Sequence, residues 1–139
     1  MTWQEDYRRK VMQPREAVQC IQSNMRVYIH PGCAEPETLV EALMARAPFV
    51  KNVEIVHLLT LGRADYIAPE VEGHFRHNAM FIGANVRQAV NEGRADYTPV
   101  FLSQVEEMFE NGQMPIDVAL VQVSPVSYTH LTLPTTPYV

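Results

Sequence analysis

The stretch that decides the fold is RVYIHPGCAEPETLVEALMARA, residues 26–47. It opens with β-branched and aromatic residues at 26–30, which predict a strand that stops at a Pro-Gly pair. After a short loop, Leu39, Leu43 and Met44 recur on one face of a predicted helix. A strand, a loop and a helix with one apolar face form the repeating unit of α/β proteins.

Outward from this unit, strand and helix patterns alternate along the chain. Near-continuous apolar strands separated by helices indicate a mostly parallel sheet with helices covering both faces. The predicted fold class is therefore α/β. Strands are predicted at residues 26–30, 53–59, 78–83 and 117–123, and helices at 3–11, 14–22, 36–47, 85–92 and 103–110.

Composition and charge narrow the class of protein. The 139 residues carry a net charge of −5, which disfavours nucleic acid as a partner because phosphate binding needs clustered Lys and Arg. Two cysteines, Cys20 and Cys33, are too few for a disulfide framework. The sequence shows neither a signal-peptide pattern nor an apolar run of membrane-spanning length. We therefore expect a cytoplasmic protein with no membrane partner.

Histidines and cysteines offer weak candidates for a metal or thiol site. His74 and His77 have the i, i+3 spacing that would place two imidazoles on one helical face, but no suitable third ligand is near. We interpret them as solvated or hydrogen-bonded and expect no metal. Cys33 precedes a helix, where backbone N–H groups can lower a thiol pKa, and His30 is close in sequence. The alternative, which we favour, is a small apolar filler.

The loop after the first strand is the best candidate for a binding site, because ligands of open α/β sheets bind beyond the carboxyl ends of strands. Glu35 lies at the start of the next helix, where its carboxylate could be a nucleophile or could interact with the helix dipole. Arg87 could bind a carboxylate or phosphate, or be an exposed surface residue. No G-x-G-x-x-G or P-loop spacing is present, which disfavours a dehydrogenase or P-loop enzyme.

The pentapeptide GRADY occurs twice, at residues 62–66 and 93–97. The residues that follow the two copies, IAPEVEG and TPVFLSQ, share little, whereas a true repeat would carry similar flanks. We interpret the two copies as a coincidence, in which two turns with similar conformational requirements contain the same residues.

Longer motifs resemble a known family. The pattern F-I-G-x-x-x-R-x-x-x-x-x-G-R-x-x-Y-T-P-V-F-L-S at residues 81–103, followed by PIDVALVQVSP at 115–125, resembles the acetyl-CoA hydrolase/transferase family. PGCAEPETLVEAL, and EAVQCIQSNMRVYI before it, are similar to the family's first strand-loop-helix unit and the segment ahead of it. The resemblance covers roughly residues 3–125, and several motifs in the right order carry it.

The resemblance implies a two-domain CoA-transferase that moves CoA between an acyl-CoA and a carboxylic acid of the acetate or 4-hydroxybutyrate type. A glutamate would form a glutamyl-CoA thioester, and water in place of the acid would give acetyl-CoA hydrolase activity. The family's glutamate belongs to its second domain, so no catalytic residue is expected here and the chain alone should be inactive. No cofactor or metal is expected beyond coenzyme A as a substrate, and the parent protein should be a homodimer.

The resemblance further implies that this chain supplies one wall of the acyl and acceptor cleft. The alternative is a non-catalytic α/β domain that binds a small anion or a partner chain at its strand ends. The predicted substrate-binding residues are Gly32, Cys33, Ala34, Glu35, Pro36, Phe81, Gly83 and Arg87.

The chain changes character after Pro125. The family pattern would continue with a Gly-rich turn, whereas residues 126–139, VSYTHLTLPTTPYV, have no charge and no glycine. Residues 126–131 are similar to an in-frame translation of a transposon-end adapter used in DNA library preparation. We predict a partial N-terminal CoA-transferase domain at residues 1–125 and a non-native tail at 126–139; a native Thr- and Pro-rich tail is the alternative. A sheet cut after its last strand should expose apolar surface and be marginally stable.

Overall fold

A computed structural model of the chain describes residues 2–123. The predicted tail at 126–139 lies outside the described residues. Within them lie five strands and five helices, and short 3-10 turns lie in several of the connections, including the one between the second and third strands, which has no α-helix. The strands are β1 (Arg26–Ile29), β2 (Val53–His57), β3 (Phe75–Ala79), β4 (Asp96–Tyr97) and β5 (Val118–Leu120). The helices are α1 (Trp3–Lys10), α2 (Pro14–Ala17), α3 (Glu37–Met44), α4 (Ala84–Asn91) and α5 (Val105–Glu110).

The strands form one parallel sheet in the order β4-β3-β2-β1-β5. This arrangement confirms the predicted α/β class. In β1, Val27 pairs with Ile55 of β2 on one side and with Val118 of β5 on the other. The chain therefore builds outward from β1 to β4 and then returns to the opposite side of β1 for β5. Open α/β sheets form a ligand crevice at the carboxyl ends of the strands where the order reverses in this way.

The core consists of apolar side chains on both faces of the sheet, because successive residues of a strand point to opposite faces. Val27, Ile29 and Ile55 are fully buried in the central strands, and Leu43 of α3 packs in the same cluster. A second cluster, which includes Val56 of β2, covers the opposite face. Its members are Val56, Met80, Val105, Met108 and Met114.

The third strand lies earlier in the chain than predicted. β3 covers Phe75–Ala79, whereas the strand was expected at residues 78–83, and residues 80–83 form the loop that follows. The prediction was wrong because polar residues fill the middle of β3 and weaken its strand pattern. Each has a partner: Arg76 bonds to Asp96, His77 to the carbonyl of Ile55, and Asn78 to Glu54.

The two-residue strand β4 was not predicted, because it is too short to show any periodicity. Asp96 pairs with Asn78 in the sheet, and its carboxylate accepts a hydrogen bond of 2.6 Å from Arg76 Nη2. The other three strands begin close to their predicted starts but end earlier. Their last predicted residues belong instead to loops at the carboxyl edge of the sheet.

The N-terminal helix forms as predicted, with a side-chain cap at its start. Thr2 and Glu5 form a capping box, in which Glu5 N–H donates to Thr2 Oγ1 at 3.3 Å and Thr2 N–H donates to Glu5 Oε2 at 2.7 Å. Tyr7 of this helix is nevertheless 64% exposed, so its ring is not buried against the described part of the chain. Among residues 2–123, no helix has the length and apolarity needed to cross a bilayer.

The two GRADY copies adopt different structures, which confirms that they are not a structural repeat. The first copy leaves β2 through Gly62, and its Tyr66 lies in a 3-10 turn with 1% exposure. The second turns at Gly93 after α4, with a φ of +75°, and its Tyr97 lies in β4 with 49% exposure. The same five residues therefore bury a tyrosine in one context and expose it in the other.

Candidate functional site

Loops that follow three neighbouring strands form an open cleft at the carboxyl edge of the sheet. The cleft has a volume of about 440 Å³. It lies beyond β1, β2 and β5, and therefore where the strand order reverses. Its lining residues are Gly32, Cys33, Glu35, Glu37, Thr38, Leu61, Gly62 and Gln122.

The loop after β1 is fastened to the loop after β2. Gly32 has a φ of +67°, in the left-handed region that favours glycine, and its N–H donates to the carbonyl of Leu59 at 2.6 Å. Cys33 is exposed, Ala34 is half-buried, and Pro36 is buried immediately before α3. The loop therefore presents Gly32 and Cys33 to the cleft, and it is anchored where it enters α3.

Glu35 is a buried carboxylate in the wall of the cleft. The residue is 6% exposed, and its Oε2 accepts a hydrogen bond from Gly62 N–H at 2.9 Å. Burial raises the pKa of the Glu35 carboxyl group; the hydrogen bond from Gly62 opposes this shift, and the charge of Glu37 adds to it. A Cβ at position 62 would overlap the Glu35 carboxylate, so an alanine there would displace this carboxylate from its hydrogen bond with Gly62 N–H.

The charge of the cleft is negative. Glu35 and Glu37 are among the residues that line it, and the described lining includes no Lys or Arg. An adjoining depression of about 60 Å³ shares both glutamates, and the Arg63 at its edge pairs with Asp65 at 3.0 Å. Because like charges repel at short distance, this wall favours a neutral group over an anion.

The predicted residues after β3 lie beside the cleft and are not part of its lining. Phe81 is 38% exposed in the loop after β3, and Arg87 is exposed on α4. Gly83 is buried at the start of α4, where a Cβ would lie 2.7 Å from Asn85 Oδ1 and 2.8 Å from a methyl carbon of Leu59. Gly83 thus has a packing reason to be glycine. The substrate-binding roles of these residues stay predictions.

Sequence reasoning missed several residues of the site, among them Leu61, Gly62 and Asn85. Leu61 lines the cleft and is 71% exposed. Asn85, near the start of α4, donates from Nδ2 to the carbonyls of Thr60 at 3.3 Å and Gly62 at 3.1 Å. Leu61 and Gly62 carried a signal, because they follow an apolar strand that ends at the same sheet edge. Asn85 carried none, because its role depends on tertiary contacts.

Two buried histidines stack beside the loop after β2. The ring centroids of His57 and His77 are 4.2 Å apart and the ring planes differ by 25°. Burial lowers the pKa of His57 to about 3, with a further contribution from His77, and lowers the pKa of His77 to about 4. His57 Nε2 lies 2.8 Å from the hydroxyl of Tyr66, which lies 3.4 Å from Thr60 Oγ1. Both imidazoles are therefore neutral at pH 7.

The structure confirms that His74 and His77 are hydrogen-bonded. Nδ1 of each ring donates to a backbone carbonyl, that of Val50 at 2.8 Å and that of Ile55 at 2.9 Å, because a carbonyl oxygen can only accept. The two imidazoles do not share a helical face, as their spacing would have allowed, since His77 lies in β3 and His74 in the turn before it. Within the described range 2–123, no group of three or more His, Cys, Asp or Glu side chains could hold a metal ion.

Most of the chain matches a model of a known protein family. Residues 1–133 match the family model described as the acetyl-CoA hydrolase/transferase N-terminal domain. The chain belongs to the acetyl-CoA hydrolase/transferase family. The match confirms the resemblance that the sequence motifs indicated.

Curated relatives of this acetyl-CoA hydrolase/transferase chain are CoA transferases by name. The chain is 42% identical over 124 residues to 4-hydroxybutyrate coenzyme A transferase of Clostridium kluyveri, covering 89% of the chain and 29% of that protein. It is 37% identical over 107 residues to succinyl-CoA:acetate/propanoyl-CoA:succinate CoA transferase of Fasciola hepatica, covering 76% of the chain and 22% of that protein. The chain thus spans less than a third of the length of these relatives.

A solved structure shares the fold of this acetyl-CoA hydrolase/transferase chain. RipA from Yersinia pestis superposes with a TM-score of 0.76 at 23% sequence identity. The match covers 93% of the chain and 32% of RipA. At this identity the likeness establishes the fold alone.

Proposed function

We propose that this chain is the N-terminal part of a CoA-transferase, and that its cleft forms one wall of the site where CoA passes from an acyl-CoA to a carboxylic acid. Family membership and the names of the relatives support the reaction class. The position of the cleft, at the carboxyl edge where the strand order reverses, carries the proposal for the site. The names of the two relatives given above support an acid of the 4-hydroxybutyrate or acetate type.

The proposed reaction is covalent and uses a glutamate outside these 139 residues. Its carboxylate attacks the thioester carbonyl, the C–S bond breaks, and a mixed anhydride and CoA thiolate result. The thiolate then attacks the glutamyl carbonyl, which releases the first carboxylic acid as its carboxylate and forms a glutamyl-CoA thioester. The acceptor carboxylate takes up CoA by the same two steps in reverse. Each step exchanges an acyl group between oxygen and sulfur, so no oxidant or reductant is needed.

Glu35 is proposed to shape the wall of the cleft and not to attack the substrate. Its Oε2 is already bonded to Gly62 N–H, and the residue is 6% exposed. An attack by this oxygen would leave the amide of Gly62 without its partner, which carries a free-energy cost. The absence of a catalytic residue from this chain is therefore part of the proposal.

The negative charge of the cleft wall determines which part of the substrate would bind against it. The phosphates of coenzyme A and a free carboxylate are anions, and Glu35 and Glu37 disfavour anions nearby. An acyl group and its thioester are neutral, and Leu61 offers them an apolar contact. We therefore assign the acyl-thioester end of the substrate to this cleft, with the phosphate-binding groups supplied by the rest of the enzyme.

A chimera tests the proposal. Residues 1–123 would replace the matching segment of the Clostridium kluyveri relative, which provides the remainder of an enzyme. We expect the chimera to transfer CoA from acetyl-CoA to 4-hydroxybutyrate, measured by chromatography of the thioesters. Mass spectrometry should find a CoA adduct on a glutamate outside residues 1–123. The 139-residue chain alone should give neither signal.

The same experiment separates the alternatives. Release of CoA from acetyl-CoA without an acceptor acid, at a rate that added acid does not increase, would favour the hydrolase. A chimera that unfolds cooperatively but transfers nothing would contradict the transferase proposal. Binding of small anions by the 139-residue chain would then support the non-catalytic alternative.

A further inference from the structure

Residues 60–62, in the loop after β2, are held from two sides. On one side, Gly62 N–H donates to Glu35 Oε2 at 2.9 Å, which joins this loop to the loop after β1. On the other side, Asn85 Nδ2 lies 3.3 Å from the Thr60 carbonyl and 3.1 Å from the Gly62 carbonyl, which joins the loop to α4. Leu61 lies between these two fixed residues, 71% exposed and lining the cleft.

The partners of Asn85 determine how its amide is oriented. Both backbone partners are carbonyl oxygens, which only accept hydrogen bonds, so the amide nitrogen must face them. The opposite atom, Oδ1, is buried with no hydrogen-bond partner among the described residues. An unpaired buried oxygen costs stability, so packing alone would favour an apolar side chain here. The donors are therefore what Asn85 supplies at this position.

We propose that Asn85 is a positioning residue of the cleft: it holds residues 60–62 so that Gly62 N–H stays directed at Glu35 and Leu61 stays in the cleft wall. This proposal rests on the proposed function only for the identity of the group that occupies the cleft, because the hydrogen bonds do not depend on it. With an acyl-thioester bound there, Asn85 would set the position of Leu61 without touching the substrate.

The pKa of Glu35 depends on Asn85 through Gly62, although no hydrogen bond joins Glu35 to Asn85 directly. The hydrogen bond from Gly62 lowers the pKa of Glu35 against the larger effect of burial. When Asn85 no longer holds the Gly62 carbonyl, that hydrogen bond weakens and the pKa of Glu35 rises further. The other charged groups that share the adjoining depression stay the same in every variant: Glu37 and Glu41 of α3, and Arg63 and Asp65 after β2.

The test uses variants of the 139-residue chain. Asn85→Ala removes the donors without adding charge, and Asn85→Asp keeps the shape but presents oxygen to the two carbonyls. Gln88→Ala is the matched control, because Gln88 is an exposed amide of α4 whose side chain bonds to Glu92. Carbon-13 NMR of the side-chain carboxyl follows Glu35, and amide hydrogen exchange follows Gly62.

We expect Gly62 in both Asn85 variants to exchange about tenfold faster than in the wild type, as the loss of a typical hydrogen bond predicts. The titration midpoint of Glu35 should move upward in Asn85→Ala and stay unchanged in Gln88→Ala. A role confined to general stability would lower the urea midpoint and leave the Glu35 titration unchanged, which would overturn the proposal. If Asn85→Ala does not fold, Asn85→Ser, which keeps one donor, should show a smaller shift in the same direction. None of these measurements uses acyl-CoA, so failure of the chimera to transfer CoA is a separate result.

Discussion

The imidazole rings of His57 and His77 stack with 4.2 Å between their centroids, and neither residue is exposed. Within the described part of the chain, Nδ1 of His57 and Nε2 of His77 have no hydrogen-bond partner. A proton on either ring would place a charge in a buried site, away from water, and against the other ring. Both histidines therefore remain neutral until the solution is strongly acidic.

From this pair we expect the free energy of unfolding to fall as the pH drops from 6.5, the ordinary pKa of histidine, towards 4. The unfolded chain takes up protons at both rings in this window, whereas the folded chain, with pKa values of about 3 and about 4, does not. Stability is thus full above the unfolded pKa and is lost on acidification, by about 1.4 kcal/mol per pH unit for each histidine. Urea unfolding at about pH 7, 5.5 and 4.5 measures the slope. His57→Gln should reduce it, and an equal slope in this variant would contradict the assignment.

We expect Gly62→Ala to destabilise the protein by about 1–3 kcal/mol, because the added methyl group overlaps the Glu35 carboxylate. Gly62 is not in the left-handed region, so the contact and not the backbone is the cause. Urea unfolding of a double-mutant cycle with Glu35→Ala checks this explanation. The methyl group should cost much less once the carboxylate is gone. Equal costs in the two backgrounds would show that another contact is responsible.

A polar ladder crosses the sheet at Glu54 of β2. Its carboxylate accepts from Arg26 Nε at 2.6 Å and from Asn78 Nδ2 at 2.8 Å. Glu54→Ala leaves both donors without this partner, and we expect a loss of about 1–3 kcal/mol in the free energy of unfolding. The exposed Glu106 on α5 offers a matched control, and Glu106→Ala should change stability by less than about 0.5 kcal/mol. If Glu54→Ala lowers the free energy of unfolding no more than Glu106→Ala does, the ladder has no structural role.

Leu61 should contribute to the reaction and little to stability. Because its side chain is 71% exposed, Leu61→Ser should change the free energy of unfolding by less than about 0.5 kcal/mol. In the chimera, loss of an apolar contact worth about 1 kcal/mol should lower kcat/KM for acyl-CoA transfer about fivefold. Leu102→Ser, at a leucine that is 67% exposed and outside the cleft lining, is the control. Unchanged kinetics in Leu61→Ser would remove Leu61 from the substrate wall.

The parallel sheet and the loop after β1 could be predicted because their signals are local. β1 and α3 are recognised from apolar residues at strand and helix spacing. Because ligands of open α/β sheets bind beyond the carboxyl ends of the strands, the loop that contains Glu35 is then a candidate site. The placement of β3 failed because Arg76, His77 and Asn78 look like loop residues until their partners in β2 and β4 are known. Polar residues in a buried strand can be recognised as strand residues only when their partners in the tertiary structure are known.

The contacts that Glu35 and Asn85 make with residues 60–62 could not be predicted for a similar reason. Asn85 and Gly62 are 23 residues apart, and nothing in the spacing of the chain marks them as neighbours. The glycines show the same limit. In the sequence, Gly62 and Gly83 look like ordinary turn glycines, yet a Cβ at either position would overlap a side chain that comes close to it in space.

The position of β5 has a consequence for synthesis on the ribosome. The first four strands pair in the order in which they are made, so most of the sheet can form as the chain emerges. The far edge of β1 must wait for β5, since Arg26 and its partner Asp117 are 91 residues apart. At roughly 5–20 residues per second, that edge stays open for several seconds in every newly made molecule, which is an interval in which another nascent chain can pair with it.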